Sequence, residues 1–243
     1  MVTFVTVEAR AKFSFIGNLV MFAGGTTFIG GDGIPMGSVV EIRHSVVRHN
    51  LSIARDRNST TSQFKSALSR LSDVLASETT RSLVGKEFEV ETPLERTTGF
   101  EIMQSVGLVP ILRAGLALVE SHVNLLPFSK VFHLGMYRDE ETALPVSYYN
   151  KLAESAPVET ALILDPMLAT GGSATAAIDA LRTWGVTTIK LGCLIAAPEG
   201  IAAVQQFDSD VDITVCMIDQ HLDANQFIRP GLGDAGDRYF GTT

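Results

Sequence analysis

Residues 160–173 read TALILDPMLATGGS, an aliphatic run that stops at Asp165 and passes through a short loop into Thr170-Gly171-Gly172-Ser173. The alanine-rich segment SATAAIDALRTWG that follows has the make-up of a helix, with Gly185 where a C-terminal cap belongs. Strand, acid, glycine loop and helix in that order describe one βα unit of a parallel sheet. In such sheets ligands sit beyond the carboxyl ends of the strands, where a helix start offers unpaired amides and the positive end of its dipole. Thr170 to Ser173 can fold as a nest of N–H groups around an anion, the glycines tolerating positive φ and close approach. The lysine of a GxxxxGK[ST] triphosphate cradle is missing, so a terminal monophosphate is the better fit. Asp165, across the loop from Ser173, is placed to accept hydrogen bonds from sugar hydroxyls. A phosphorylated sugar is the guest this pattern implies, against the alternative of a plain βα connection with flexible glycines.

The flanking sequence extends the same texture. QSVGLVPILRAG reads as a buried strand that breaks at Gly115, and LALVESHV as the helix after it. KVFHLGMYRDEET reads as a strand ending in a charged loop, and VSYYNKLAE as a further short strand. VTTIKLGCLIAA and DITVCMIDQ are two more buried strands, separated by PEGIAAVQQF, a helix with proline at its start. Strand and helix alternate from about Gly107 to Asp219, which predicts an α/β fold with a mostly parallel central sheet flanked by helices. Upstream, Phe64, Leu68, Leu71 and Leu75 recur at helical spacing behind Ser and Thr suited to a cap. FEVETPLERTTG predicts a short strand and turn.

The chain has 243 residues, 46% of them hydrophobic and 19% charged, which allows one main domain with a packed core. Its formal net charge is −8 and no long run of Lys and Arg occurs, so its long-range field repels nucleic acid and anionic membrane. An anionic substrate must be captured by local groups. Cys193 and Cys216 lie inside apolar runs and offer neither a disulfide framework nor a zinc pattern, which suits a reducing, cytoplasmic setting. Residues 1–38 contain FSFIGNLVMFAGG, too short to span a bilayer, and are read as an N-terminal extension of unknown role that adds a hairpin or covers a neighbour, against the alternative of a targeting sequence. No transmembrane segment is evident elsewhere.

LILDPMLATGGSATAAI resembles the signature loop of the uracil phosphoribosyltransferases, a branch of the type I phosphoribosyltransferases, with Asp-Pro in place of the paired acids of most of that superfamily. VPILRAGL at 109–116, GMYRDEET at 135–142, AAPEGI at 196–201 and PGLGDAGDRYFGT at 230–242 resemble the same family in the same order. The likeness spans residues 39–243, leaving residues 1–38 outside it. It implies a type I phosphoribosyltransferase fold with a small hood, or C-terminal uracil-binding region. It further implies transfer of the phosphoribosyl group of 5-phosphoribosyl 1-diphosphate (PRPP) to N1 of uracil, giving UMP and pyrophosphate.

Carried over residue by residue, the resemblance assigns the diphosphate to Arg113 and Arg138. Asp165, Pro166, Met167, Leu168, Ala169, Thr170, Gly171, Gly172 and Ser173 would hold the ribose hydroxyls and 5′-phosphate. Ile228 and the Gly233-Asp234-Ala235 turn would read uracil, with Asp234 also close to PRPP, and Asp165 and Asp234 are the candidate catalytic carboxylates. Guanidinium forks match a leaving group that gains charge in the transition state. Arg113 stands in an otherwise apolar run, where a charge requires a partner or ligand; Arg138, beside Asp139, Glu140 and Glu141, could also be an ordinary solvated residue. Uracil shows acceptor, donor and acceptor along one edge, which backbone N–H, C=O and N–H can complement, and the glycines of PGLGDAGDRYFGT expose such a backbone.

One acid at the loop start implies Mg²⁺ held mainly by PRPP oxygens and water, with no all-protein cage. The resemblance also raises GTP as an activator and a homodimer or higher homo-oligomer as the assembly. Arg229 adds a charge beside the uracil turn that the family pattern does not contain. The competing function is a non-catalytic, phosphoribosyltransferase-like regulator that binds nucleotides. Gly231-Leu-Gly-Asp-Ala-Gly236 satisfies GxGxxG, but only seven residues follow it, too few for a dinucleotide-binding unit.

Overall fold

The computed structural model describes residues 19–22, 25–28, 37–138, 145–150, 152 and 156–242. Its sheet is built on β6 (Val106–Leu112), β10 (Thr160–Leu164), β12 (Thr188–Ala196) and β13 (Asp212–Ile218), all parallel. Each is a near-continuous aliphatic run because both faces of the sheet are covered, which removes the alternation of a half-exposed strand. Outside them β3 (Val39–Glu41) pairs in parallel with β13, and β8 (Leu134–Arg138) with β6. β9 (Pro145–Asn150) closes one edge antiparallel to β8. At the other edge, β1 (Leu19–Phe22) and β2 (Gly25–Phe28) form an antiparallel hairpin whose Thr26 pairs with Val39. Two short pieces, β7 (Lys130–Val131) and β11 (Met167–Leu168), pair with β6 and β12.

The pleat divides the side chains of β10 between two cores. Ala161 and Ile163 join the layer under α4 (Gly172–Trp184) and α5 (Pro198–Phe207), whereas Leu162 and Leu164 face α2 (Thr61–Thr79) and α3 (Leu116–Leu125). α2 begins with a capping box: Thr60 Oγ1 accepts from the Gln63 N–H, and Gln63 Oε1 from the Thr60 N–H. Its Phe64, Leu68, Leu71 and Leu75 are all fully buried. Removing each from water contributes about 1.5–3 kcal/mol. α1 (Ser45–Arg55) packs against α2, on a stretch to which the sequence pattern gives no element.

Most expected elements lie within a few residues of their observed bounds, with two differences. FEVETPLERTTG lies within a longer hairpin, β4 (Gly85–Glu91) paired with β5 (Arg96–Ile102), separate from the main sheet and largely exposed. The apolar run around Arg113 ends earlier than Gly115, at Leu112. The acidic residues 139–141 lie outside the described residues, as does most of the N-terminal extension. Among the described residues no helix is long and apolar enough to cross a membrane.

Candidate active site

β10 delivers Asp165 just past its last residue, Leu164. The Asp165 N–H still donates to the Gly192 carbonyl of the neighbouring strand at 3.2 Å, so the sheet itself fixes where the acid leaves it. The loop then turns back onto β12, where Met167 pairs with Ile195 and Leu168 with Ala196. Pro166 contributes its carbonyl to the N–H groups of Leu194 and Ile195, at 3.0 and 3.1 Å. The Leu168 carbonyl accepts from Ala197 at 2.9 Å. Residues 165–168 are thereby tied to the sheet by main-chain bonds, and the chain then passes into the Thr170–Ser173 turn, where Gly171 is buried and its neighbours half-buried.

Gly171 carries φ of +85° and is the N-cap of α4. An added Cβ there would stand 2.9 Å from the Ala203 Cβ and 3.1 Å from the Gly200 carbonyl oxygen, so the loop is pressed against α5 as well as left-handed. Gly172 is already the first helical residue. The cap supplies no side-chain acceptor to the first turn. Among the described residues, the amides of Thr170, Gly171, Gly172 and Ser173 find no acceptor in the protein. Four such donors at the positive end of a helix dipole are chemically suited to an anion.

Asp165 is only partly accessible. Its Oδ1 accepts from the Met167 N–H at 3.3 Å. Desolvation by the surrounding protein pushes its pKa up to about 7, against the opposing effect of that hydrogen bond. The same environment raises Cys193 well above the usual thiol range, and burial pushes Cys216 up to about 12, so both stay as inert thiols.

Arg113 stands beyond the end of β6, next to β10, its side chain 56% exposed. The cost foreseen for a charge inside an apolar run does not arise, because the strand stops one residue earlier. Its partner is Asp237, whose Oδ1 accepts from Arg113 Nη2 at 3.1 Å, and the guanidinium lies 5.8 Å from the Phe240 ring centroid. Asp237 belongs to α6 (Ala235–Phe240), and Gly236 packs beside Ala114. Arg138 is the last residue of β8, which neighbours β6 at its carboxyl end, where Leu112 pairs with Gly135. The main chain thus brings Asp165, the Thr170–Ser173 amides, Arg113 and Arg138 to one edge of the sheet.

The C-terminal turn reaches the same edge. Ile228 and Arg229 form β15, paired antiparallel with β14 (His221–Leu222). The Ile228 side chain is 4% exposed and Ala235 2%, so both anchor the turn in the core, whereas Gly233 and Asp234 are exposed. Asp234 caps α6, its Oδ1 accepting from the Asp237 N–H at 2.7 Å. Gly233 has φ of +77°, and the N–H groups of Gly233 and Ala235 have no acceptor among the described residues. Arg229 is 55% exposed and forms an ion pair with Asp223, which resolves its place: it lies on the outer side of the ribbon, bound to a neighbouring acid.

A family model described as uracil phosphoribosyltransferase matches residues 40–242. The chain belongs to the uracil phosphoribosyltransferase family. Proteins with that name from Clostridioides difficile (strain 630) and Desulfitobacterium hafniense (strain DSM 10664 / DCB-2) are 46% and 48% identical to it. Each alignment covers 85% of this chain and all of the relative. A solved protein structure from Aquifex aeolicus superposes with a TM-score of 0.78 at 33% identity, covering 84% of this chain and 99% of that one. The fold is accordingly the α/β, mostly parallel arrangement of the type I phosphoribosyltransferases.

Several residues that shape this family site escape sequence reasoning. Asp219, 6% exposed, accepts from Arg55 Nη2 at 2.5 Å and from the Gly231 N–H at 2.9 Å, so it pins the glycine turn to α1. Arg238 donates to the carbonyls of Leu232 at 2.6 Å and Asp56 at 2.7 Å, and lies 4.3 Å from the Phe64 ring centroid. Asp219 carried a usable signal: like Asp165, it is an acid directly after a buried aliphatic strand. Arg55, Asp237 and Arg238 carried none, because their partners are remote in the chain.

Proposed function

We propose that this chain transfers the 5-phosphoribosyl group of PRPP to N1 of uracil, forming UMP and pyrophosphate. The observation that carries the reading is the row of acceptor-free amides from Thr170 to Ser173, opened beside Arg113 at the carboxyl edge of the sheet. These amides would hold the 5′-phosphate, each charge-assisted bond contributing about 1.5–3 kcal/mol. Residues Asp165 to Ala169 would line the ribose, Asp165 accepting from its hydroxyls. That contact favours the ionised carboxylate, which desolvation alone disfavours. Arg113 and Arg138 would meet the diphosphate as it gains charge, so catalysis is orientation and electrostatic stabilisation.

The base would lie against Ile228 and the Gly233-Asp234-Ala235 turn, read by main-chain groups that need no charged side chain. Asp234 has one carboxylate oxygen committed to the helix cap, leaving the other for the base side or for PRPP. The donor set at the loop suits a metal that retains water and substrate oxygens, because Asp165 is its one carboxylate. Mg²⁺ so held would neutralise charge on the diphosphate. A cytoplasmic, homo-oligomeric enzyme responsive to GTP completes the proposal. The regulator reading is disfavoured by the names of its close relatives.

The test is UMP formation from uracil, PRPP and Mg²⁺ by the purified chain, beside Arg138→Ala. Turnover in the wild type and a steep loss in the variant are expected. A wild type that binds PRPP but makes no UMP would return the regulator to first place. Rates with and without GTP, and the mass in solution, address activation and assembly.

A further inference from the structure

Asp237 occupies a junction that the proposed chemistry does not yet use. Its N–H is held by the Asp234 cap at 2.7 Å, and its carbonyl accepts from Gly241 at 2.7 Å and Thr242 at 3.1 Å. Its carboxylate accepts from Thr242 Oγ1 at 2.6 Å and from Arg113 Nη2 at 3.1 Å. A long side chain that is 56% exposed would ordinarily sample many rotamers, yet Arg113 is tethered here and rests over the Phe240 ring. The tether is a single bond to one nitrogen, so the other donors of the guanidinium keep no partner in the protein among the described residues.

We infer that Asp237 is a positioning residue: it holds Arg113 ready for the diphosphate and joins that arginine to the turn proposed to read the base. This inference rests on the reading of Arg113 as a diphosphate ligand. The physical case is preorganisation, because an arginine already confined to one rotamer loses less freedom when the ligand binds. One short helix carries the base turn at its cap and the arginine tether one turn later, so a displacement at either end reaches the other. A capping role alone would not require the carboxylate to face Arg113.

The experiment is a double-mutant cycle on the full chain: wild type, Asp237→Ala, Arg113→Ala and both together. KM and kcat are measured for PRPP and for uracil, and each variant's melting temperature is recorded. Asp237→Ala is expected to raise KM for PRPP about threefold to fivefold, the scale of a solvent-facing ion pair. In the Arg113→Ala background the same change should add nothing to KM for PRPP. Asp237→Asn, which retains an acceptor oxygen for both Arg113 and Thr242, should recover most of the loss and controls for folding. An Asp237→Ala effect that is absent, or that persists undiminished without Arg113, would overturn the inference while leaving the diphosphate reading intact. If Arg113→Ala alone leaves KM for PRPP at the wild-type value, the diphosphate reading fails and the inference fails with it.

Discussion

Replacing Asp165 with asparagine tests the electrostatics at the centre of the site. The carboxyl ordinarily titrates at 3.8 and is pushed up to about 7 by desolvation. That difference corresponds to at most about 4 kcal/mol of cost for the ionised form in the unliganded fold. The sign follows from proton counting. Below pH 4 both folded and unfolded chains hold the proton. Between about pH 4 and pH 7 the folded chain retains it and the unfolded chain does not, so stability falls as pH rises. Above pH 7 both are ionised and the loss is complete.

The amide that Asp165→Asn introduces cannot ionise, and its oxygen can still accept from the Met167 N–H. The variant should therefore gain on the wild type as pH rises, by about 2.5 kcal/mol between pH 5 and pH 8. Urea unfolding of both proteins at these two pH values, without ligand, measures the gap. A gap that stays constant within about 0.5 kcal/mol, the usual scatter of surface changes, would show that the carboxyl ionises near its ordinary value. The desolvation argument would then be wrong, and with it the idea that sugar hydroxyls offset the cost of the charge. UMP synthesis should fall in the same variant even where its stability rises, which would separate function from folding.

Gly171→Ala places a side chain at φ +85° and 2.9 Å from the Ala203 Cβ. The left-handed conformation alone costs roughly 1–2 kcal/mol, so the melting temperature should drop by several degrees and PRPP should protect the variant less than the wild type; an unchanged melting curve would contradict the tight loop. Asp219→Ala strips partners from Arg55 and the Gly231 amide, which should destabilise by about 3–5 kcal/mol. Because the glycine turn loosens, KM for uracil should rise more than KM for PRPP; equal effects on both would argue against a base-side role.

Legibility in the sequence tracked the physical range of each interaction. β6, β10, β12 and β13 were readable because strands buried on both faces are continuous aliphatic runs. The α2 stripe at Phe64, Leu68, Leu71 and Leu75 was readable because helix periodicity is local. The strand–loop–helix turn at Asp165–Ser173 was readable for the same reason, its glycine and helix start being adjacent in the chain. The stretch from Val39 to Arg55 was not, since β3 is only three residues long and α1 opens on paired valines that suit a strand equally well. Arg113 was read as part of the apolar run because nothing local marks Leu112 as the strand's last residue. Its ion pair with Asp237, like the Arg55–Asp219 pair and the Arg238 contacts with α1 and the loop after it, joins segments remote in the chain, which no spacing rule can reach.

The acidity of the chain and the anionic character of its proposed substrate are reconciled by how the site is built. With a formal charge of −8 the field of the whole molecule gives a polyanion no assistance from a distance. What the site offers are dipoles, the four amides of Thr170–Ser173, and arginine forks, one of them partly neutralised by Asp237. Such groups act over hydrogen-bond distances and demand geometry. In the proposed reading, a phosphate at these amides would place the sugar beside Asp165, and a diphosphate within reach of Arg113 would lie next to α6, whose cap belongs to the turn proposed to read the base. Recognition would then fall to a few fixed directions, so an anion lacking the sugar's spacing between its two charged ends should gain only one half of the contacts.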